Sequence, residues 1–319
     1  MNMDTVVIHP PAAPLGLIEK VRVVLACVAA IVLLSTVGWM VAAPADSHQG
    51  VTLATHPGRA TGVWAAVIAL TVVAGWLGTV MAPRRLAEGG VFVAAVGLAG
   101  LALKGGSMQD VMDYMLAAPD AASRRWLAVQ MAMDTVLWTG VLAATWVAVA
   151  LARRMVWGDE ELYNPVPAAS RKSDTAKAQA SRPTGWWALI ITGLLAAFII
   201  WATDARTPVA TIARGQIIAS VGGGFFLGAM AARYFTGQHR AHWYVLAVPA
   251  VALLAWLVSY LNSGMAWAPD PFRLLKQTPP HALARPLPIE YLAVGVAGAL
   301  AGFWSGERVE HVHEPEKKA

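Results

Sequence analysis

Apolar stretches long enough to cross a membrane alternate with polar segments along the whole chain. With a rise of about 1.5 Å per residue, a helix of roughly 20 residues crosses a hydrocarbon core about 30 Å thick. The pattern predicts an all-α integral membrane protein with eight transmembrane helices, at about residues 20–43, 61–82, 86–103, 126–152, 185–203, 215–234, 243–261 and 289–305. Unbroken apolar runs of this length favour helices over the alternating strands of a membrane barrel.

Two of the eight stretches allow a second interpretation or leave their ends open. The first could be a cleavable signal peptide that ends after Ala43, but its apolar core exceeds the roughly 7–15 residues usual for such peptides, which favours an uncleaved span. The third is short and rich in glycine, so the pattern does not define where it begins and ends.

The composition fits a protein whose solvent is the lipid bilayer. Hydrophobic residues make up 57% of the 319 residues and charged residues only 13%, with a mean hydropathy of +0.54. Too few polar residues remain to cover a soluble globule of this size. The net charge of +5 comes from basic residues that flank the apolar stretches, so it predicts a topology signal and no nucleic-acid partner.

The distribution of lysine and arginine also predicts an orientation. Basic residues are more frequent in the segments that share a side with the termini, such as Arg84-Arg85 and Arg153-Arg154. By the positive-inside rule, both termini are expected in the cytoplasm of a bacterial-type inner (plasma) membrane. Residues 155–184 are polar and rich in Pro, Ala, Ser and Lys, which predicts a flexible cytoplasmic linker, and residues 307–319 form a cytoplasmic tail.

The two parts that flank this linker share a plan. Residues 1–154 and 185–306 each contain four predicted spans, and the WLAV sequence at Trp126 is echoed by YLAV at Tyr291 in the last span of each part. We predict two four-helix repeats. Because each repeat has an even number of spans, the two have the same orientation, as in transporters built from parallel halves.

A shorter amphipathic helix is predicted before the fourth span. Ser107 and Asp110 have the spacing of a capping box, in which the carboxylate takes the usual place of glutamate. Apolar residues then recur with the period of a helix at Met108, Val111, Met112, Met115 and Leu116. The segment is too short to span, so we expect it on the outer face, either flat on the membrane or against the bundle.

One predicted span carries an acid, Asp134. A carboxylate inside the bilayer costs roughly 2.5–3.5 kcal/mol on insertion scales, and no second charge is expected well inside any span to complete a relay. Gln130 and Trp138 share its helix face, and Thr135 and Thr139 lie beside that face. This candidate intramembrane polar site is either a proton- or cation-linked carboxylate in a cavity, or a hydrogen-bonded acid that fastens two helices.

Rows of small residues predict close helix packing. Four-residue spacing places small side chains on one face of the sixth and eighth spans, at Ser220, Gly224, Gly228 and Ala232, and at Gly298, Gly302 and Gly306. Such rows let two helix backbones approach closely. Flexibility at a gate is the alternative role for these glycines.

No metal, cofactor or catalytic site is predicted. Methionines 108, 112, 115, 131 and 133 could bind copper(I), and His311 with His313 could bind a metal in the tail, but packing and the lack of a rigid frame favour neither site. A single cysteine, Cys27, excludes an intramolecular disulfide. The sequence has no Walker A loop, no HExxH and no nucleophile elbow, so an enzyme is not expected.

Two classes of function follow. In the first, the protein is a transporter or channel for a small solute or ion, with a site between the repeats near Asp134. In the second, it is a non-catalytic anchoring or scaffold subunit of a larger membrane complex, with other membrane proteins or further copies of itself as partners. The duplicated plan favours the first class.

Overall fold

A computed structural model describes residues 15–44, 50–52, 60–108, 110–111, 120–158, 184–204, 214–264, 268–270, 273–278 and 281–313. Within these ranges lie eight main helices: α1 (Leu17–Ala42), α2 (Ala60–Met81), α3 (Gly89–Lys104), α4 (Ala121–Trp157), α5 (Thr184–Asp204), α6 (Arg214–Thr236), α7 (His242–Leu261) and α8 (288–313). Seven of them are long and apolar enough to cross a membrane. These helices indicate a multi-pass membrane protein.

The exception is α3, which corresponds to the third predicted span. Its 16 residues reach about 24 Å, less than the roughly 30 Å of a hydrocarbon core. Most of α3 is nevertheless buried against α1 and α2. Glycines 89, 90, 97 and 100 allow this close approach, since a Cβ atom at each would meet atoms of a neighbouring segment.

Strands occur only between α7 and α8 in the described residues. The sequence predicts a long loop there, with Asp270-Pro271 and Pro279-Pro280 before the eighth span. The structure instead has an antiparallel hairpin, β1 (Ala268–Asp270) and β2 (Arg273–Thr278), and then a short 3₁₀ turn at Ala282–Ala284. A three-residue strand is too short for periodicity to reveal.

Several helix ends differ from the predicted boundaries. α4 extends to Trp157, so the first residues of the predicted linker are helical, while residues 159–183 lie outside the described part. α8 continues to His313, so much of the predicted tail is helical as well. The length of an apolar run indicates only the part of a helix that crosses the bilayer. The backbone hydrogen bonds of the helix can continue beyond that part, so hydropathy does not define the helix ends.

The predicted capping box at Ser107 is present in part, because the Asp110 carboxylate binds the Ser107 amide while the Asp110 amide donates to the Ser107 backbone oxygen. The Asp110 Oδ2 atom accepts hydrogen bonds from both the amide and the hydroxyl of Ser107, each 2.7 Å long. Met108 and Val111 are buried, so the start of this segment packs against the bundle. Met112, Met115 and Leu116 lie outside the described residues.

Contacts between helix ends show that successive helices alternate in direction. At the end where α1 begins and α8 finishes, which we call the terminal end, Arg85 forms an ion pair with Glu19. At the opposite end, the distal end, the Lys104 ammonium group donates to the Ser35 carbonyl oxygen at 2.9 Å. This carbonyl belongs to a π-helical turn, Leu34–Gly38, in α1.

The most central helix is α8. In the most apolar stretch of α8, 72% of the residues are buried, against 22% in that of α1. Every residue from 286 to 296 is buried. This stretch includes a π-helical turn, Tyr291–Gly295, that contacts α3, α4, α6 and α7. The echo of the sequence WLAV therefore lies at the centre of the bundle.

The rows of small residues lie where α6 meets its two main partners. A Cβ atom at Gly228 would come within 2.7 Å of the Thr192 carbonyl oxygen of α5, and one at Gly224 within 3.2 Å of the Ala196 carbonyl oxygen. On α8, a Cβ atom at Gly298, Gly302 or Gly306 would collide with α6. Ser220 and Ala232 are also buried.

We expect Gly302→Ala to destabilise the protein by about 1–3 kcal/mol, because the new methyl group would overlap the Phe226 carbonyl oxygen and force α6 and α8 apart. Thermal unfolding in detergent measures the effect. Gly223→Ala is the matched control, because a Cβ atom there meets nothing within 4 Å. Equal stability of the two variants would contradict close packing at this contact.

Candidate functional site: buried charges at the distal end

The predicted acid is buried in the bundle and bound to its own helix. Asp134 and Trp138 have no exposed surface, and the indole N–H of Trp138 donates to the Asp134 carboxylate at 3.2 Å. The Thr135 hydroxyl donates to the Met131 carbonyl oxygen at 2.8 Å, and the Thr139 hydroxyl to that of Thr135 at 2.7 Å. On the predicted polar face, the acid therefore binds the indole of Trp138, and the two threonine hydroxyls donate to backbone carbonyl oxygens of α4 itself.

Gln130 is less closely integrated than the sequence suggests. It is half-buried, and its side-chain oxygen is buried without a hydrogen-bond partner in the described structure. An unpaired amide oxygen in an apolar interior costs free energy. This oxygen therefore keeps an unused capacity to accept a hydrogen bond.

No second charge lies well inside a predicted span, but the structure buries one at the start of the eighth span, which the sequence does not predict. Glu290 has no exposed surface, and its Oε2 atom accepts the Leu287 amide hydrogen at 2.7 Å, as an acid in the first turn of a helix does. Its Oε1 atom lies 3.4 Å from the Arg214 Nε atom. This contact is an ion pair without hydrogen-bond geometry, and both atoms lack a hydrogen-bond partner.

Arg214 holds three helices together at the distal end. From the first residue of α6 it pairs with Glu290 on α8, and its guanidinium group also donates to the end of α3, at the carbonyl oxygens of Ala102, Leu103 and Gly105. The last carbonyl groups of a helix have no partner within the helix, so a cation there satisfies them and interacts favourably with the helix dipole.

A second acid and a second arginine extend this cluster. Asp204, the last residue of α5, is buried, and its carboxylate accepts the Ser220 hydroxyl at 3.3 Å. The Arg285 guanidinium group donates to the Asp204 backbone carbonyl oxygen. Asp204 also lies close enough to interact electrostatically with Glu290. We call Asp204, Arg214, Arg285 and Glu290 the distal charge cluster.

His281 lies at the margin of this cluster, outside the spans. Burial lowers the pKa of its ring, and the positive charge of Arg285 lowers it further. Burial also lowers the pKa of Arg285, while the Asp204 carboxylate acts in the opposite direction. His281 Nδ1 and Arg285 Nε are buried without a hydrogen-bond partner in the described part of the chain.

Two further arginines, Arg124 and Arg125, link α4 to the end of α7 elsewhere at the distal end. The Arg124 Nε atom of α4 donates to the Ser263 carbonyl oxygen at 2.7 Å, just beyond the end of α7. Arg125 Nε donates to the Ser263 hydroxyl at 2.9 Å, and its guanidinium group lies over the Tyr260 ring. These contacts join α4 to α7.

At the terminal end, an indole links α8 to α3. Trp304 Nε1 donates to the Glu88 carboxylate at 3.4 Å, and the Trp304 and Phe92 rings lie 5.2 Å apart. Arg233 of α6 is also buried, beside His239 at 2.7 Å. The described residues contain no group of three His, Cys, Asp or Glu side chains placed to hold a metal ion.

Most of the distal charge cluster was missed at the level of the sequence because its members lie at the edges of apolar stretches. Glu290 is the second residue of the eighth predicted span, and Asp204 directly follows the fifth. Acids at such positions usually reach water. The one available signal is the sequence Pro288-Ile-Glu, which is typical of a helix start with an acid in its first turn.

Comparison of the chain with protein-family models, characterised proteins and solved structures finds no match.

We expect Glu290→Gln to destabilise the protein by about 3 kcal/mol, because it leaves the charge of Arg214 without its buried partner. In a double-mutant cycle with Arg214→Gln, the double variant should lose less than the sum of the single losses, by about 0.5–3 kcal/mol. Detergent unfolding curves provide the free energies, and Arg240→Gln at an exposed site is the control. Additive losses would show that the two side chains do not interact.

His281 should contribute a pH dependence of stability. Because its pKa is lowered in the folded protein, the unfolded chain binds the proton more readily, and stability is lost as the pH falls below the ordinary value of 6.5. We therefore expect the melting temperature of His281→Gln to fall less than that of the unaltered protein between about pH 7.5 and pH 5.5. Parallel curves would argue against a buried neutral ring.

Proposed function

We propose that the protein moves a small solute or ion across the membrane along a path between its two four-helix halves, with Asp134 beside that path. The observation that carries the proposal is the distal charge cluster, in which a buried Glu290 pairs with a half-buried Arg214 where α6 and α8 meet α3 of the other half. Ionisable groups inside a membrane domain are costly and typically mark ion or substrate pathways.

The pattern of helix pairing supports a repeat with parallel halves. In the first half α1 packs on α3 and α2 on α4, and in the second half α5 packs on α7 and α6 on α8. The contacts between halves are also equivalent, because the fourth helix of each half packs on the third helix of the other: α4 packs on α7, and α8 packs on α3. One difference is that α2 packs closely on α3, whereas α6 makes no comparable contact with α7 in the described structure.

We further propose that all eight helices cross the bilayer, with both termini in the cytoplasm of a bacterial-type inner membrane. Contacts at both ends of α3 support a crossing despite its length, since Glu88 meets Trp304 at the terminal end and Lys104 meets Ser35 at the distal end. Local thinning of the bilayer accommodates a short span at modest cost. The basic residues near the terminal end support the orientation.

A second candidate function is a non-catalytic anchoring or scaffold subunit, with membrane proteins or further copies of the chain as partners. The contact that favours it is the hydrogen bond between Trp138 and Asp134, because it satisfies one oxygen of the acid within a single helix. A carboxylate held this way can serve stability alone.

Proton flux into reconstituted vesicles that contain a pH-sensitive dye tests these alternatives. We expect Asp134→Asn to change the flux or its pH dependence, because the amide cannot release a proton. Asp120→Asn is the matched control: it makes the same substitution at the exposed cap of the same helix, where asparagine also caps well. Unchanged flux in a folded Asp134→Asn protein would remove the carboxylate from the mechanism. Absence of flux in the unaltered protein would favour the scaffold.

A further inference from the structure

Arginines from opposite halves cap equivalent helices at the distal end. Arg214 of the second half donates to the end of α3, and Arg124 and Arg125 of the first half donate to Ser263, beyond the end of α7. In the proposed repeat, α3 and α7 are the third helices of their halves. Each third helix is therefore tied at its distal end to the opposite half by arginine.

These ties differ in kind from the contacts inside each half. Within the second half, α6 meets α5 and α8 through glycines, with backbone against backbone. Across the halves at the distal end, the start of α8 packs on α3 and α4, and the arginines add side-chain hydrogen bonds to carbonyl oxygens and one hydroxyl. Side-chain hydrogen bonds can be exchanged for bonds to water, whereas helices that meet through glycine move together as one body.

We propose that Arg214 with the end of α3, and Arg124 and Arg125 with Ser263, form a distal gate that is closed in this structure, and that both contacts release when the path opens at this end. The inference rests on the proposed transport function and assigns a gate to it. At the terminal end, the halves are joined by one hydrogen bond from Trp304 to Glu88 and by the ring contact of Trp304 with Phe92. Movement of one half against the other would separate the distal contacts while the glycine-packed helices stay together.

Two spin-label pairs report on the two contacts. In a Cys27→Ser background, labels at Leu103 and Gly215 span the Arg214 contact, and labels at Ala122 and Gly264 span the contact with Ser263. Leu103 and Ala122 are exposed, and a Cβ atom at either glycine meets nothing within 4 Å, so each site accepts a label. Pulsed electron spin resonance in lipid nanodiscs measures both distances.

We expect Arg214→Gln to lengthen the 103–215 distance by about 5 Å, the size of a one-turn displacement, and to lengthen the 122–264 distance as well. The change at the second pair is the decisive result, because a local loss of contact at residue 214 would not reach it. Arg240→Gln removes the same charge from an exposed site and should leave both distances unchanged. Unchanged distances in a folded Arg214→Gln protein would overturn the gate.

A second variant guards against misfolding. If Arg214→Gln does not purify as a single folded species, the double variant Arg124→Gln, Arg125→Gln removes the contact with Ser263 instead. The 103–215 distance, which spans the other contact, should then lengthen. Proton flux measured on the same samples separates the two proposals. Longer distances without flux in the unaltered protein would support the gate contacts and contradict transport, whereas Asp134-dependent flux with fixed distances would support transport and overturn the gate.

Discussion

The burial of Glu290 is the constraint on which the distal half of the bundle depends. A carboxylate enclosed by protein within a membrane domain must be compensated, and Arg214 and the Leu287 amide supply that compensation. Arg214 can reach Glu290 only if α6 begins beside the first turn of α8. The same guanidinium group binds the end of α3, so one ion pair between the buried Glu290 and the half-buried Arg214 connects three helices.

Close packing at glycine residues fixes how the other helices of the second half lie against one another. Because α6 meets α5 and α8 at rows of glycine, the backbones approach closely, and the three helices form a dense unit. α8 lies at the centre of the bundle, while α1 and α5 expose apolar side chains over most of their surfaces, as helices that face lipid do. The polar contacts that join the two halves are concentrated at the helix ends. This arrangement suits a protein whose halves move against each other.

Asp134 is buried, as its position in the sequence suggests. α4 is buried to an intermediate degree among the seven long helices, and the acid shares a hydrogen bond with Trp138 on the same face. The centre lies on α8, in the segment that resembles the start of α4 in sequence. The two segments therefore differ in their position in the bundle as well as in the presence of Asp134, because the segment on α8 lies at the centre and the start of α4 lies nearer the edge.

The sequence by itself determined the helices, their approximate positions and their need for lipid, because a long apolar run is a local property that only a membrane-spanning helix satisfies. It also indicated the small-residue faces and the capping box at Ser107, which depend on spacing along one chain. Only the tertiary structure decided which charges are buried. Glu290 and Asp204 stand at span ends, where an isolated helix would leave them in water, and they lose that water because α3, α6 and the segment around Arg285 cover them.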